Sequence, residues 1–93
     1  MIIGCMVLDL YLPYSHSLKE KRKRLKRLKD RLKTRYNVAF SELEFQDKWQ
    51  RSRIGVVTLN SGKQIIEKTF NQILKDVEEN LDGEVLEIDI SFL

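Results

Sequence analysis

The sequence predicts an α+β sandwich, one four-stranded antiparallel sheet with two helices packed on one of its faces. Three observations carry that reading. Apolar residues fall into strand-like runs and helically spaced runs in the order β-α-β-β-α-β. Each helical run opens on a capping-box pattern, Ser17-Leu18-Lys19-Glu20 and Ser61-Gly62-Lys63-Gln64. The first and third strand runs are apolar in both parities, as central strands should be. Right-handed crossovers put both helices on the same side of the sheet. The result is a ferredoxin-like topology with strand order 4-1-3-2, formed by residues 1–93 as a single domain.

The elements follow in order. Ile2 to Leu12 is a strand, β-branched and stopped by Pro13. A helix starts at Ser17, with Leu18, Leu25, Leu28, Leu32 and Tyr36 on one narrow face at spacings of 7, 3, 4 and 4. Asn37 is a candidate left-handed stop for it. Val38 to Phe45 is strand-like, but its apolar parity changes between Phe40 and Leu43, which a bulge or an edge position explains. Gln46 to Arg53 is a polar hairpin apart from Trp49, and Ile54 to Leu59 is the third strand. Ile65, Ile66, Phe70, Ile73, Leu74, Val77 and Leu81 make a wider helix face that Asp82-Gly83 closes. Leu86, Ile88, Ile90 and Phe92 then alternate with Glu87, Asp89 and Ser91 in a half-exposed last strand.

Composition narrows the function classes. Ninety-three residues allow one modest core. At 42% apolar the chain is no disordered segment, and at 33% charged it exceeds the usual quarter. No apolar run approaches the roughly 20 residues of a membrane-spanning helix. The apolar start lacks a basic n-region and contains Asp9, so it is not read as a signal peptide. One cysteine and one histidine are too few for an internal disulfide or a Cys/His zinc site. A soluble, reduced, cytoplasmic domain is expected, with no membrane partner, no cofactor and no small-molecule substrate indicated.

Charge is strongly segregated. Lys19, Lys21, Arg22, Lys23, Arg24, Lys26, Arg27, Lys29, Arg31, Lys33 and Arg35 face only Glu20 and Asp30 between Ser17 and Tyr36, a local balance of +9. The whole chain carries +3, so everything else sums to −6. Six like-charge pairs at i,i+4 along this helix cost about 1–3 kcal/mol together at low salt. A polyanion would turn that repulsion into binding free energy by releasing condensed counterions. The competing reading is a solvated face, or one compensated within the fold by the acids of the second helix. The eleven cations, with Arg51, Arg53 and Trp49 in the hairpin, are the candidate nucleic-acid-binding residues, and RNA or the ribosome is the expected partner. Trp49 offers a surface on which a base could stack, or it folds back over the sheet edge.

Other chemistry is thin. Cys5 lies in an apolar strand without basic company. His16 between Ser15 and Ser17 invites a nucleophile-and-base pairing, yet sequence neighbours rarely have that geometry, and Ser17 is a cap. Glu42, Glu44 and Asp47 near a strand end could hold a divalent ion, although exposed strand acids usually face water. The phosphate-binding and nucleophile motifs are missing. So is the glycine-rich, arginine-bearing loop of acylphosphatase-type enzymes, since Leu12-Pro13-Tyr14-Ser15-His16 has neither residue type. No enzyme activity is expected. The outer sheet face, with Ile3, Cys5 and Val7 and one parity of Ile54–Leu59, is apolar enough to suggest a sheet-mediated homodimer as an alternative role.

Certain segments carry a resemblance. A first strand ending in Leu-Pro, then Ser17-Leu18-Lys19-Glu20-Lys21-Arg22, Tyr36-Asn37-Val38-Ala39, Glu42 and Gln46-Asp47-Lys48-Trp49-Gln50-Arg51 before Ile54-Gly55-Val56, is similar to the bacterial DUF503, or YlxP-like, family. The resemblance covers essentially the whole chain. It implies a ferredoxin-like domain of unestablished biochemical function whose genes often lie beside those for translation initiation factor 2 and ribosome-binding factor A. It supplies no catalytic residues.

Overall fold

The protein is described by a computed structural model of residues 1–93. Strand β1 (Ile2–Tyr11), helix α1 (Leu18–Arg35), strands β2 (Ala39–Glu44) and β3 (Arg51–Asn60), helix α2 (Lys63–Asn80) and strand β4 (Glu84–Phe92) follow one another. The sheet is antiparallel throughout, in the order β2-β3-β1-β4, with both helices on one face. This is the ferredoxin-like arrangement expected. Met6, Leu8 and Leu10 of β1 and Ile54 and Val56 of β3 meet Leu25, Leu28 and Leu32 of α1 and Ile66, Phe70, Ile73 and Val77 of α2. Each of the larger side chains contributes roughly 1.5–3 kcal/mol by leaving water. Helix α2 packs so close to β1 that a Cβ on Gly4 would stand 2.5 Å from Cγ2 of Ile66, so any side chain there would have to displace Ile66.

Four local expectations are corrected. Helix α1 ends with Tyr36 in extended backbone rather than on a left-handed Asn37. The only residue with positive φ is Phe45, at 66°. The second capping box does not form: Gly62 is the N-cap of α2 without a side-chain bond, and its N–H donates instead to the Asn60 Oδ1. Gly83 is no helix cap either. It has no positive φ, and a Cβ there would overlap the carbonyl oxygen of Tyr11, so glycine is required by the approach of β4 to β1. Finally, β3 begins at Arg51, not Ile54, because Ser52 and Arg53 pair with Leu10 and Asp9.

The parity break in β2 is a register shift between Glu42 and Glu44 at the sheet edge. Leu43 is the extra residue, and it lies over Gly55. In β4, Ile88 and Ile90 oppose Leu8 and Met6 on the helix-covered face, yet both stay exposed at this edge strand, whose ends alone pack inward through Val85 and Phe92. No helix is long and apolar enough to cross a membrane.

Candidate nucleic-acid interface

Helix α1 is held at its start by local chemistry. The backbone N–H of Glu20 donates to the Ser17 hydroxyl, as the first capping box predicts. The Glu20 carboxylate accepts from the N–H of His16, one residue further out than expected. At 3.6 residues per turn, the side chains of α1 then divide among three faces.

The inward face is Lys21, Leu25, Leu28 and Leu32. Lys21 is fully buried. Its ammonium stands 3.0 Å from Glu42 Oε2 and donates to the carbonyls of Phe45 (2.5 Å), Gln46 (3.4 Å) and Arg51 (3.3 Å). Glu42 accepts in turn from the Ser52 hydroxyl at 2.7 Å. One lysine thus ties α1 to both sides of the β2–β3 hairpin. It is not a phosphate-binding residue on the surface, contrary to the sequence-based assignment. Its spacing was the available signal: it fills the seven-residue gap in the leucine stripe, three positions after Leu18 and four before Leu25.

The flank toward α2 carries Arg24, Arg31 and Arg35. Arg31 Nε donates to Asp76 at 2.5 Å, and Arg35 Nη1 to the other oxygen of the same carboxylate at 3.1 Å. Asp76 is buried on α2 and also accepts from the Asn80 amide at 3.0 Å. Arg24 reaches Asp82, beyond the end of α2, at 3.2 Å. The expected compensation by acids of the second helix therefore exists, confined to this flank. Between Arg24, Arg27 and Arg31 on one side and Asn80 and Asp82 on the other runs a groove of about 540 Å³ floored by Leu28 and Leu81.

The outward face differs. Lys19, Arg22, Lys23, Arg27, Lys29 and Lys33 are all exposed, and none makes an ion pair. On a regular helix these six occupy an arc of about 160° centred opposite the buried stripe, over a length of about 21 Å. Lys26 pairs with Asp30 at 2.8 Å within this face. That hydrogen bond, with Lys29 and Lys33 nearby, holds the Asp30 carboxyl below its ordinary range, so the one acid there stays ionised. Of the eleven cations, five are engaged and six are left facing solvent.

The hairpin candidates also separate. Arg53 makes a two-pronged bond to its cross-strand partner Asp9, 2.5 Å from Oδ1 and 3.0 Å from Oδ2, and also bonds Glu44. Arg53 pulls the Asp9 carboxyl below the usual carboxylate value, and Asp9 raises that of Arg53. Arg51 lies over the Phe45 ring, 4.9 Å from its centroid, with its Nε buried and without a hydrogen-bond partner. Trp49 is 54% exposed. Of the three acids proposed for a divalent ion, two serve separate cations, Glu42 with Lys21 and Glu44 with Arg53, and Asp47 faces solvent. Ser15 is buried, and its hydroxyl donates to the carbonyl of Ser17 rather than approaching an imidazole.

Fold and site together define a small ferredoxin-like domain that carries a cationic ridge on its first helix. The family model described as "Protein of unknown function (DUF503)" matches residues 3–90, and the chain belongs to that family. The uncharacterized protein YlxP of Bacillus subtilis (strain 168) is 35% identical over 74 residues, covering 80% of this chain and 75% of that one. Among solved structures, a structural-genomics protein, YJCS, superposes with a TM-score of 0.63 over 96% of both chains at 14% identity. The de novo designed protein Ferredog-Diesel gives 0.52 over 96% of this chain and 83% of its own at 16% identity. At such identities the two likenesses speak to fold alone.

Proposed function

We propose that the protein is a non-enzymatic RNA-binding module, associated with ribosomal RNA, that grips phosphates with the outward face of α1. The carrying observation is the set of six exposed, unpaired cations on one arc, Lys19 to Lys33. A fold that compensates Arg24, Arg31 and Arg35 but leaves those six repelling one another keeps a free-energy gain in reserve for a polyanion. The translation-gene setting implied by the resemblance favours RNA over DNA. Six phosphate contacts give a slope of log K against log salt of roughly −4 for single-stranded and −5 for duplex targets. Fluorescence anisotropy of labelled ribosomal RNA fragments across a salt series should return that slope. No binding at the lowest salt overturns the reading.

A second reading rests on the other face of the sheet. Cys5, Val7, Ala39, Leu43, Gly55 and Val57 line a shallow apolar groove there, and Leu59 beside it is 56% exposed. The rest of that face carries Asp9, Arg53, Glu44, Glu87 and, at the β4 edge beside Val7, Asp89, so a two-fold partner can lay the apolar groove on its own copy while these charges stay wet. That packing is the sheet-mediated homodimer of this second reading. Light scattering should then give twice the chain mass, returning to the monomer in Val57→Lys. A monomer at high concentration in the parent protein rules the dimer out.

A further inference from the structure

The segment Gln46–Arg51 is fastened far more heavily than a surface turn requires. Lys21 holds its carbonyls at both ends. The Gln50 side-chain amide donates to the carbonyls of Pro13 (3.0 Å) and Ser15 (3.5 Å), while the Gln50 carbonyl accepts from the N–H of Leu12 at 2.8 Å. Phe45 is kept at a positive φ of 66°, uncommon for a bulky residue, with its ring under Arg51 and Arg53 and its carbonyl on Lys21 and on the N–H of Lys48. All of this fixes backbone. Two large side chains on and beside it stay largely open: Trp49 is 54% exposed, and Tyr14, bracketed by the two carbonyls that Gln50 holds, is 61% exposed. Two aromatic rings are thus presented to solvent from one braced scaffold.

We propose that Trp49 and Tyr14 form a stacking platform for unpaired bases of the RNA whose phosphates α1 binds, an inference that rests on the α1 reading above. The ligand class follows from chemistry and placement. Aromatic faces in water stack on any base that is not already stacked in a helix, whereas a closed duplex hides its base faces. Lys21 belongs to the second turn of α1, so the hairpin adjoins the end of the helix from which Lys19 and Arg22 project. Lys48, next to Trp49, is exposed as well. The RNA that fits has a backbone running along α1 and single-stranded nucleotides reaching the hairpin. Two rings on a preformed scaffold lose little freedom on binding, so most of the stacking appears as affinity.

Trp49 is the only tryptophan in the chain, so its fluorescence reports on the platform directly. Two RNAs of equal phosphate number serve as probes, a closed stem and a stem with an unpaired extension, with anisotropy and tryptophan emission read together. The extended RNA should quench Trp49 and bind roughly 5- to 150-fold tighter than the closed stem, the value of a stacked base. Trp49→Ala should abolish that preference while leaving the salt slope unchanged, and Trp49→Phe should keep part of it. Binding of both RNAs with equal affinity and unchanged emission overturns the platform alone. No anisotropy change with either RNA overturns the α1 reading and the platform with it.

Discussion

Lys21→Met lowers the unfolding free energy by about 3–5 kcal/mol, the cost of leaving one partner of a buried ion pair alone. For a domain of this length that is a fall in Tm of roughly 15 °C or more. Methionine matches the lysine stem in length, so lost packing is a small part of the effect. The loss comes from polar atoms. The carbonyls of Phe45, Gln46 and Arg51 lose their donor, Glu42 keeps only the Ser52 hydroxyl, and the left-handed Phe45 loses the bond that holds its carbonyl. Adding Glu42→Leu to Lys21→Met removes the stranded carboxylate and should recover part of the loss, with a coupling of about 1–3 kcal/mol. Urea unfolding of the four proteins measures both values. A Lys21→Met variant within about 1 kcal/mol of the parent would show that the ammonium is not what binds the hairpin to α1.

Replacing Arg22, Lys29 and Lys33 together with glutamine should weaken RNA binding roughly 100- to 500-fold at about 0.1 M salt, and reduce the salt slope to about half. These three are among the six unpaired cations, so no ion pair is broken. The variant also removes the like-charge neighbours Arg22/Lys26 and Lys29/Lys33, a gain of a few tenths of a kcal/mol per pair that offsets the loss of the Lys29 and Lys33 charges beside Asp30, so stability should match or slightly exceed that of the parent. Weaker binding with equal or higher stability separates a functional charge from a structural one. Lys21→Met should do the reverse, costing stability while leaving the slope where it was, provided the measurement is made where that variant is folded. A triple variant with an unchanged slope would place the phosphates on another surface.

The two experiments divide the candidate residues as tertiary structure does. In α1 the leucine stripe was legible because burial repeats with the helical period, and the topology because the alternation of periods and the handedness of crossovers leave few ways to assemble the elements. The gap between Leu18 and Leu25 was legible too, but a lysine in a row of eleven cations reads as more of the same. Asp76 was similarly disguised. It lies on the buried side of α2 among Ile73 and Val77, yet within an acidic run that reads as a wet face. The turn chemistry misled at Ser61, Asn37 and Gly83, where residues suited to caps serve in other ways once neighbouring strands are in place.

By itself, then, the sequence determined the order of elements, the strand order and the concentration of positive charge on one helix, all of which follow from periodic patterning and local charge density. Only the folded chain decided which cations are free. Arg31 finds Asp76 across 45 residues, Arg24 finds Asp82 across 58 and Lys21 finds the carbonyl of Arg51 across 30. An ion pair depends on separation in space, which falls to a few ångströms only after α1, α2 and the hairpin have packed on one sheet.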